Sequence, residues 1–425
     1  DSATPLCYNR SPGRTWLPVA VGRWRNTLAV RLYLEDPYLQ SFEARIEASR
    51  QGRSGWEVAL DRTCFYPEGG GQPCDLGTLG QAPVLNVYEE SGCIWHVIDG
   101  TPPVGRVAGR IDWRRRFDHM QQHSGQHLLS AVALDRCSAQ TLSFHLGAES
   151  STIDLDLPDL TEGQCQAIED DVNRLVVGNI PVRAYFVAPE EVPSLNLRKQ
   201  PTKGEQTRIV EVPGVDLSPC GGTHVRNTGE IGLVKVRRSE RYKGGTRLEF
   251  LCGWRALHDY QWKHLAISQL ARELSVADRE VAEAVLRLRA AEREVRQESE
   301  RLRRQLLTHE AAALRQEAQP LGSLRVVARA FSERAPGEVK QLAGMLVAEP
   351  GTVALLATQG PAARLFFMRS AGLELDMRQV LRQVTQRYGG GGGGRPEAAE
   401  GGGLAPQSIA DALAWAVELL KARPS

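Results

Sequence analysis

Two short motifs carry side chains able to hold a metal ion: His-Ser-Gly-Gln-His at His123–His127 and Cys-Gly-Gly-Thr-His at Cys220–His224. Residues four apart on a helix share a face, so His123 and His127 can turn both imidazoles toward one point. Cys220 and His224 have the same spacing, with Gly221 and Gly222 between them to let the backbone turn tightly. Three imidazoles and one thiolate make a tetrahedral zinc set, one ion per chain. A zinc peptidase of the His-Glu type needs a glutamate directly after the first histidine, and Ser124 stands there instead. Four protein ligands also suit a purely structural zinc, so the ligand set alone leaves catalysis open.

The elements that must position these ligands follow from periodicity. Met120–Leu134 has the i, i+3, i+4 spacing of a helix buried on one side, and it carries the first motif. Strand-like stretches TLSFHLG and STIDLDL follow, then a helix opened by Thr161 as N-cap. Four more strands, PVRAYFV, RIVEV, GLVKVRR and TRLEFLC, bring in the second motif, so 111–257 reads as an α+β zinc-binding domain.

Residues 27–110 read as all-β and barrel-like, with strands WEVALD, PVLNVYE and IWHVID and a conspicuous loop from Asp61 to Gly77. Residues 1–26 read as a poorly ordered leader. In 258–318 a seam of Leu274, Val281, Leu288, Val295 and Leu302 predicts a long helix in a coiled coil or helical hairpin, stopped by Pro320. Residues 319–425 read as a small α/β domain, with helices near 337–347 and 410–422 and six glycines at 389–394. The whole is an α+β protein.

A chain of 425 residues, 42% hydrophobic and 24% charged, is globular and needs more than one core. No apolar run approaches the ~20 residues of a membrane span. Eight scattered cysteines do not form a disulfide framework, which points to a reducing, cytoplasmic setting. The net charge is only +1, yet between Arg226 and Arg247 seven basic residues face two acids, and Arg114, Arg115 and Arg116 form a second cluster. Such stripes either engage phosphates or form a solvated face. The glycine tract followed by Arg395 either contacts RNA through its amides or is a flexible loop. No Gly-Lys-Ser/Thr follows it, so no NTP site is expected.

The chain resembles the AlaX family of alanyl-tRNA editing proteins, free-standing relatives of the editing domain of alanyl-tRNA synthetase. The matching stretches are EGGGQPCD (68–75), MQQHSGQHLLSA (120–131), TLSFHLG with STIDLD (141–156), DLSPCGGTHVRNTGEIG (216–232) and GGTRLEF (244–250). The C-terminal RYGGGGGGRPEAAEGGG resembles the terminal domain of alanyl-tRNA synthetase, as in the long form of the family.

The resemblance implies zinc-dependent hydrolysis, in trans, of alanine tRNA mischarged with serine, or with glycine, and His123, His127, Cys220 and His224 match the family's ligands. Thr141, Ser143 and His145 alternate along a strand and are expected to line the amino-acid pocket. Gly69, Gly70, Gly71 and Gln72 are expected at the RNA's 3′ end, unless the loop is simply a tight turn. Arg237, Arg238, Arg247 and Arg395 are the other candidate RNA contacts. Glu68 or Asp216 is expected to orient a ligand imidazole, and Cys74 reads as a small buried residue. The helical seam serves a homodimer or an intramolecular hairpin equally. The competing readings are a tRNA-binding factor with a structural zinc and a hydrolase of some smaller ester; the basic clusters and the C-terminal module disfavour the latter.

Overall fold

The computed structural model describes residues 29–52, 55–201, 206–360 and 363–422; the expected leader at 1–26 lies outside the described residues. The chain divides into two compact units at Gln269 and Leu270. No helix among the described residues is long and apolar enough to cross a membrane.

The first unit opens with six antiparallel strands that close on themselves in the order Ser41–Gln51, Trp56–Leu60, Cys93–Ile98, Ala82–Glu90, Gly77–Leu79, Arg106–Ile111. Alternation explains the packing: Phe42 and Ala44 face inward while Ser41 and Glu43 face water. Val58, Phe65, Leu79, Val87, Ile94 and Ile98 fill the interior.

Directly after the barrel, Asp112 caps the helix Trp113–Cys137 by accepting from the Arg115 N–H at 3.1 Å. The helix is longer than its periodicity predicts, and it is buried on all sides rather than one: every residue from His119 to Ala133 is covered. One of its neighbours is a four-stranded antiparallel sheet ordered Val234–Tyr242, Gly245–Cys252, Ser151–Leu155, Thr141–Leu146. Gly125 permits the close approach, since a Cβ there would stand 2.3 Å from Cys252 Sγ. Helix Glu162–Val177 packs beside it, opened by a capping box between Thr161 and Gln164. A three-stranded meander, Arg183–Val187, Thr207–Val212 and Asp216–Pro219, completes this part.

The barrel and the ligand helix are tied by a fully buried ion pair, Arg116 with Asp75. Arg116 Nη1 also donates to the Pro37 carbonyl at 2.8 Å, and its Nη2 to the Cys64 carbonyl at 2.5 Å. The predicted basic cluster is therefore no surface patch at Arg116, which is a structural bolt.

In the second unit a six-stranded mixed sheet runs in the order Gln319–Leu321, Leu324–Phe331, Thr352–Thr358, Arg364–Arg369, Ala398–Gly402, Gly391–Arg395. Helices Met377–Tyr388 and Ile409–Lys421 share one core with it. Helix Pro336–Leu346 and the end of the long helix Val281–Gln316, through Leu307, Ala311 and Leu314, share the other. The apolar seam is split: Leu274 ends the helix Gly253–Leu274, Ser275 turns left-handed (φ 53°), and the remaining seam residues lie on Val281–Gln316. Leu288, Val295 and Leu302 are exposed. The glycine tract is not a flexible loop; Gly391–Arg395 is an edge strand paired with Ala398–Gly402.

Candidate metal centre

His123 and His127 project from the buried helix, while Cys220 and His224 lie on the segment that follows the strand Asp216–Pro219. Arg208 on the neighbouring strand fastens that segment, donating to the carbonyls of Cys220 and Gly222, both at 2.9 Å. One ligand atom from each of the four residues falls within 4.8 Å of the others. Cys220 Sγ is 3.4 Å from His123 Nε2 and 3.3 Å from His224 Nε2. The sulfur–nitrogen edge of a zinc tetrahedron is about 3.5 Å, from bond lengths near 2.3 and 2.0 Å. The donor set therefore fits zinc in both chemistry and spacing.

Each imidazole is aimed by a different partner on its Nδ1. Gln72 Oε1 lies 2.8 Å from His123 Nδ1, and the same amide donates to Thr223 Oγ1 at 2.9 Å. Asp216 Oδ2 lies 2.8 Å from His127 Nδ1, and Ser124 Oγ lies 3.1 Å from His224 Nδ1. A carboxylate only accepts, so His127 carries its proton on Nδ1 and presents Nε2 as a ligand atom. Asp216 is braced in turn by Arg198, at 2.6 Å, and by the Ser218 hydroxyl.

The electrostatics favour ligation. Burial alone would raise the Cys220 thiol, but the facing His123 and His224 rings outweigh it and hold the thiol well below its ordinary range. Burial pushes His224 down to about 3, against the pull of Cys220. Burial would raise Asp216, yet His127 and Arg198 hold it below the usual carboxylate range.

A cavity of about 410 Å³ opens beside the centre and is walled by His123, His127 and Cys220, with Tyr66, Gln126 and Thr141 nearby. Arg31, Arg198 and Lys199 also line it. Thr141 and Ser143 reach the cavity as expected, whereas His145 is exposed and lies outside it. A register shift opposite Asp154 and Leu155 falls at Leu142; beyond it Ser143 and His145 share the exposed face while Phe144 and Leu146 turn inward. Phe144 takes the inner place, its ring 5.1 Å from that of His123.

The glycine loop is a tight two-residue turn: Gly69 and Gln72 exchange backbone hydrogen bonds, and Gly70 (φ 58°) and Gly71 (φ 84°) occupy the left-handed positions. Glu68, Gly69 and Gly70 also line the cavity. Gln72 does not fit the RNA contact expected of it, because it is fully buried and spent on His123 and Thr223. Of the two acids expected to orient an imidazole, Asp216 does so and Glu68 is exposed instead.

Ion pairs take up the candidate arginines of the basic stripe. Arg247 pairs with Asp154 at 2.6 Å, Arg238 with Glu240 at 2.9 Å, and Arg237 with Glu249 at 3.3 Å. Arg395 is exposed at the end of its edge strand. Sequence reasoning missed Gln72 and Ser124 as orienting groups, and it missed Arg198 altogether; Ser124 had a signal, its place between two ligands on the helix.

Two family models match the chain: the threonyl and alanyl tRNA synthetase second additional domain at residues 207–249, and the DHHA1 domain at 324–422. The chain is 32% identical over 390 residues to alanyl-tRNA editing protein AlaX-L of Pyrococcus horikoshii, covering 87% of this chain and 94% of that protein. It is 37% identical over 267 residues to alanyl-tRNA editing protein Aarsd1 of Mus musculus, covering 62% and 65% respectively. The C-Ala domain of Aquifex aeolicus alanyl-tRNA synthetase is a solved structure similar to it, at 28% identity over 24% of this chain and 97% of that one, with a TM-score of 0.24. The chain belongs to the AlaX family of alanyl-tRNA editing proteins. Within that family it is similar to the long form along nearly the full length of both chains.

Proposed function

We propose that this protein is a trans-acting deacylase that hydrolyses alanine tRNA mischarged with serine, and that it depends on zinc. The observation that carries the reading is the 410 Å³ cavity walled by three of the four metal ligands. Bound zinc would supply positive charge for orienting the terminal ribose or polarising the ester carbonyl.

The cavity also carries groups suited to distinguishing serine from alanine. Ser130 Oγ accepts from Gln126 Nε2 at 2.8 Å and from Thr141 Oγ1 at 2.6 Å. With its proton committed to Ser130, Thr141 offers lone pairs to a substrate hydroxyl. Alanine brings no hydroxyl and gains nothing there, which is how a polar site separates two amino acids that a purely apolar pocket distinguishes only about a hundredfold. Ser143 gives its proton to Asp154 at 2.6 Å and offers its oxygen in the same way. Arg31 is paired with Glu89 and Arg198 with Asp216, which leaves Lys199 as the wall's cation for an entering RNA end.

Four protein ligands favour one other reading, a tRNA-binding factor whose zinc only holds the fold. The deciding experiment compares deacylation of serine-charged and alanine-charged alanine tRNA by wild type and Cys220→Ala. Loss of serine alone, abolished by the substitution, is expected. Tight tRNA binding with zinc present and no release of either amino acid would leave the binding factor standing.

A further inference from the structure

A second cavity of about 860 Å³ lies in the same unit and plays no part in the chemistry described above. Its walls include Arg114, Arg115, His119, Trp254, Arg255 and His258. The volume is that of a small-molecule site. Two of these groups are already committed: Arg115 Nε donates to the Cys74 carbonyl, and Arg255 is paired with Asp118, itself in the wall. Arg114 and Trp254 are not. Arg114 is exposed and has no ion-pair partner among the described residues. The Trp254 indole is 58% exposed, with the His258 ring 6.0 Å from it. Deep in the wall, His119 is 3% exposed and its Nδ1 has no hydrogen-bond partner among the described residues.

An open aromatic face and an unpaired guanidinium in the wall of one cavity are the groups that stack a base and hold its phosphate. Arg114, Arg115 and Arg255 stand in the wall against Asp112 and Asp118, leaving one positive charge in excess (3 − 2) for an anionic guest. The cavity's position strengthens this. Along the loop it begins at Pro73, where the first cavity ends at Gly70; along the strand it begins at Gly147, where the first ends at Phe144. The Leu146 N–H donating to the Gly71 carbonyl at 3.0 Å lies between them. Arg115 and His123 are eight residues apart on one helix, about 12 Å along its axis.

We propose that this cavity is a nucleotide subsite, in which a base stacks on Trp254 and a phosphate meets Arg114, and that it receives an unpaired nucleotide of the RNA strand whose esterified end enters the metal-site cavity. The identity of that RNA rests on the deacylase reading; the cavity and its lining do not. A free mononucleotide has the same chemistry, and the test separates the two sources.

The test uses the full zinc-loaded chain with Trp254→Ala and Arg114→Glu, both at exposed positions. It measures the Kd for uncharged alanine tRNA, KM and kcat for deacylation, and binding of AMP alone by calorimetry. Loss of one stacked base corresponds to about tenfold in affinity. The expected result is a Kd and KM raised about tenfold in each variant, with kcat lowered far less. AMP that saturates wild type and neither variant, with tRNA affinity unchanged, would assign the subsite to a free nucleotide and overturn the RNA-strand assignment. Unchanged tRNA and AMP binding in both variants overturns the subsite altogether. Weakened tRNA binding in variants of a wild type that releases no amino acid would keep the subsite and discard the deacylase.

Discussion

Gln72 Oε1 accepts from His123 Nδ1 across 2.8 Å, although 51 residues separate the two and one sits on a turn of the barrel loop while the other sits on the buried helix. The barrel thus contributes to the metal centre without supplying a ligand. Gln72→Leu removes that acceptor and frees the ring to rotate. The expected outcome is zinc affinity lowered about 10–100-fold, read by competition against a chromophoric chelator. Gln72→Glu, which keeps an acceptor at the same reach, should restore most of it; equal affinity in wild type and Gln72→Leu would remove the orienting role.

Gly222 is a second point of control. A Cβ there would stand 2.3 Å from His123 Cε1 and 2.5 Å from its Nδ1, too close for any real contact. Gly222→Ala must therefore displace the ring or the loop. We expect it to lose zinc at concentrations that saturate wild type, while Gly221→Ala, where a Cβ meets nothing within 4 Å, keeps it. Metal content after gel filtration checks both; zinc retained in full by Gly222→Ala would show that the loop can yield.

The buried pair of Arg116 and Asp75 predicts a non-additive stability effect, since both side chains are fully covered. Arg116→Met leaves Asp75 without its counter-charge, at a cost of about 3–5 kcal/mol. Asp75→Asn added to it should recover part of that loss. Urea unfolding of the two variants measures this, and a double variant no more stable than the single one would rule the charge out as the cause.

His96 sets a pH dependence. It is fully buried in the barrel, where Nδ1 donates to the Val58 carbonyl at 3.0 Å and Nε2 faces Thr63 Oγ1 at 2.8 Å. Burial lowers its pKa to about 4, only partly opposed by Val58. The unfolded ring, with a pKa near 6.5, takes up a proton first as pH falls. Stability from this group is therefore complete above about pH 6.5 and declines down to about pH 4, by about 3 kcal/mol. His96→Gln should flatten that part of the pH profile, seen in denaturant midpoints at pH 7, 5.5 and 4.5. An unchanged slope would place the titration elsewhere.

The approach of His123 to His127 was legible in the sequence because their spacing is local: a four-residue interval fixes a face of a helix whatever surrounds it. The N-cap at Thr161 was legible for the same reason. Contacts across the fold were not. Nothing in the spacing of Gln72 and His123 announces that a barrel turn meets a helix. The arginines at 237–247 read as a free basic stripe because their partners Asp154, Asp159 and Glu249 lie on other segments. Thr141, Ser143 and His145 do not share one face because a bulge at Leu142 slips Thr141 out of step with the other two, and a period-two argument fails across a slipped residue. The seven-residue seam hid a helix break at Ser275, because Leu274 and Val281 keep their interval across it.

One property of the metal centre reaches beyond chemistry at the pocket. Its two halves come from His127 and Cys220, 93 positions apart (220 − 127). The sheet strands Thr141–Leu146 and Ser151–Leu155, the helix Glu162–Val177 and the three-stranded meander all lie inside the circuit they close. A bound ion is therefore a removable cross-link around a long loop, restricting the unfolded chain as a disulfide over that span would, by about 4–5 kcal/mol in the chain-entropy account. With its described cysteines all unpaired, the protein would gain that topological staple from zinc without oxidation, and would give it up to a chelator.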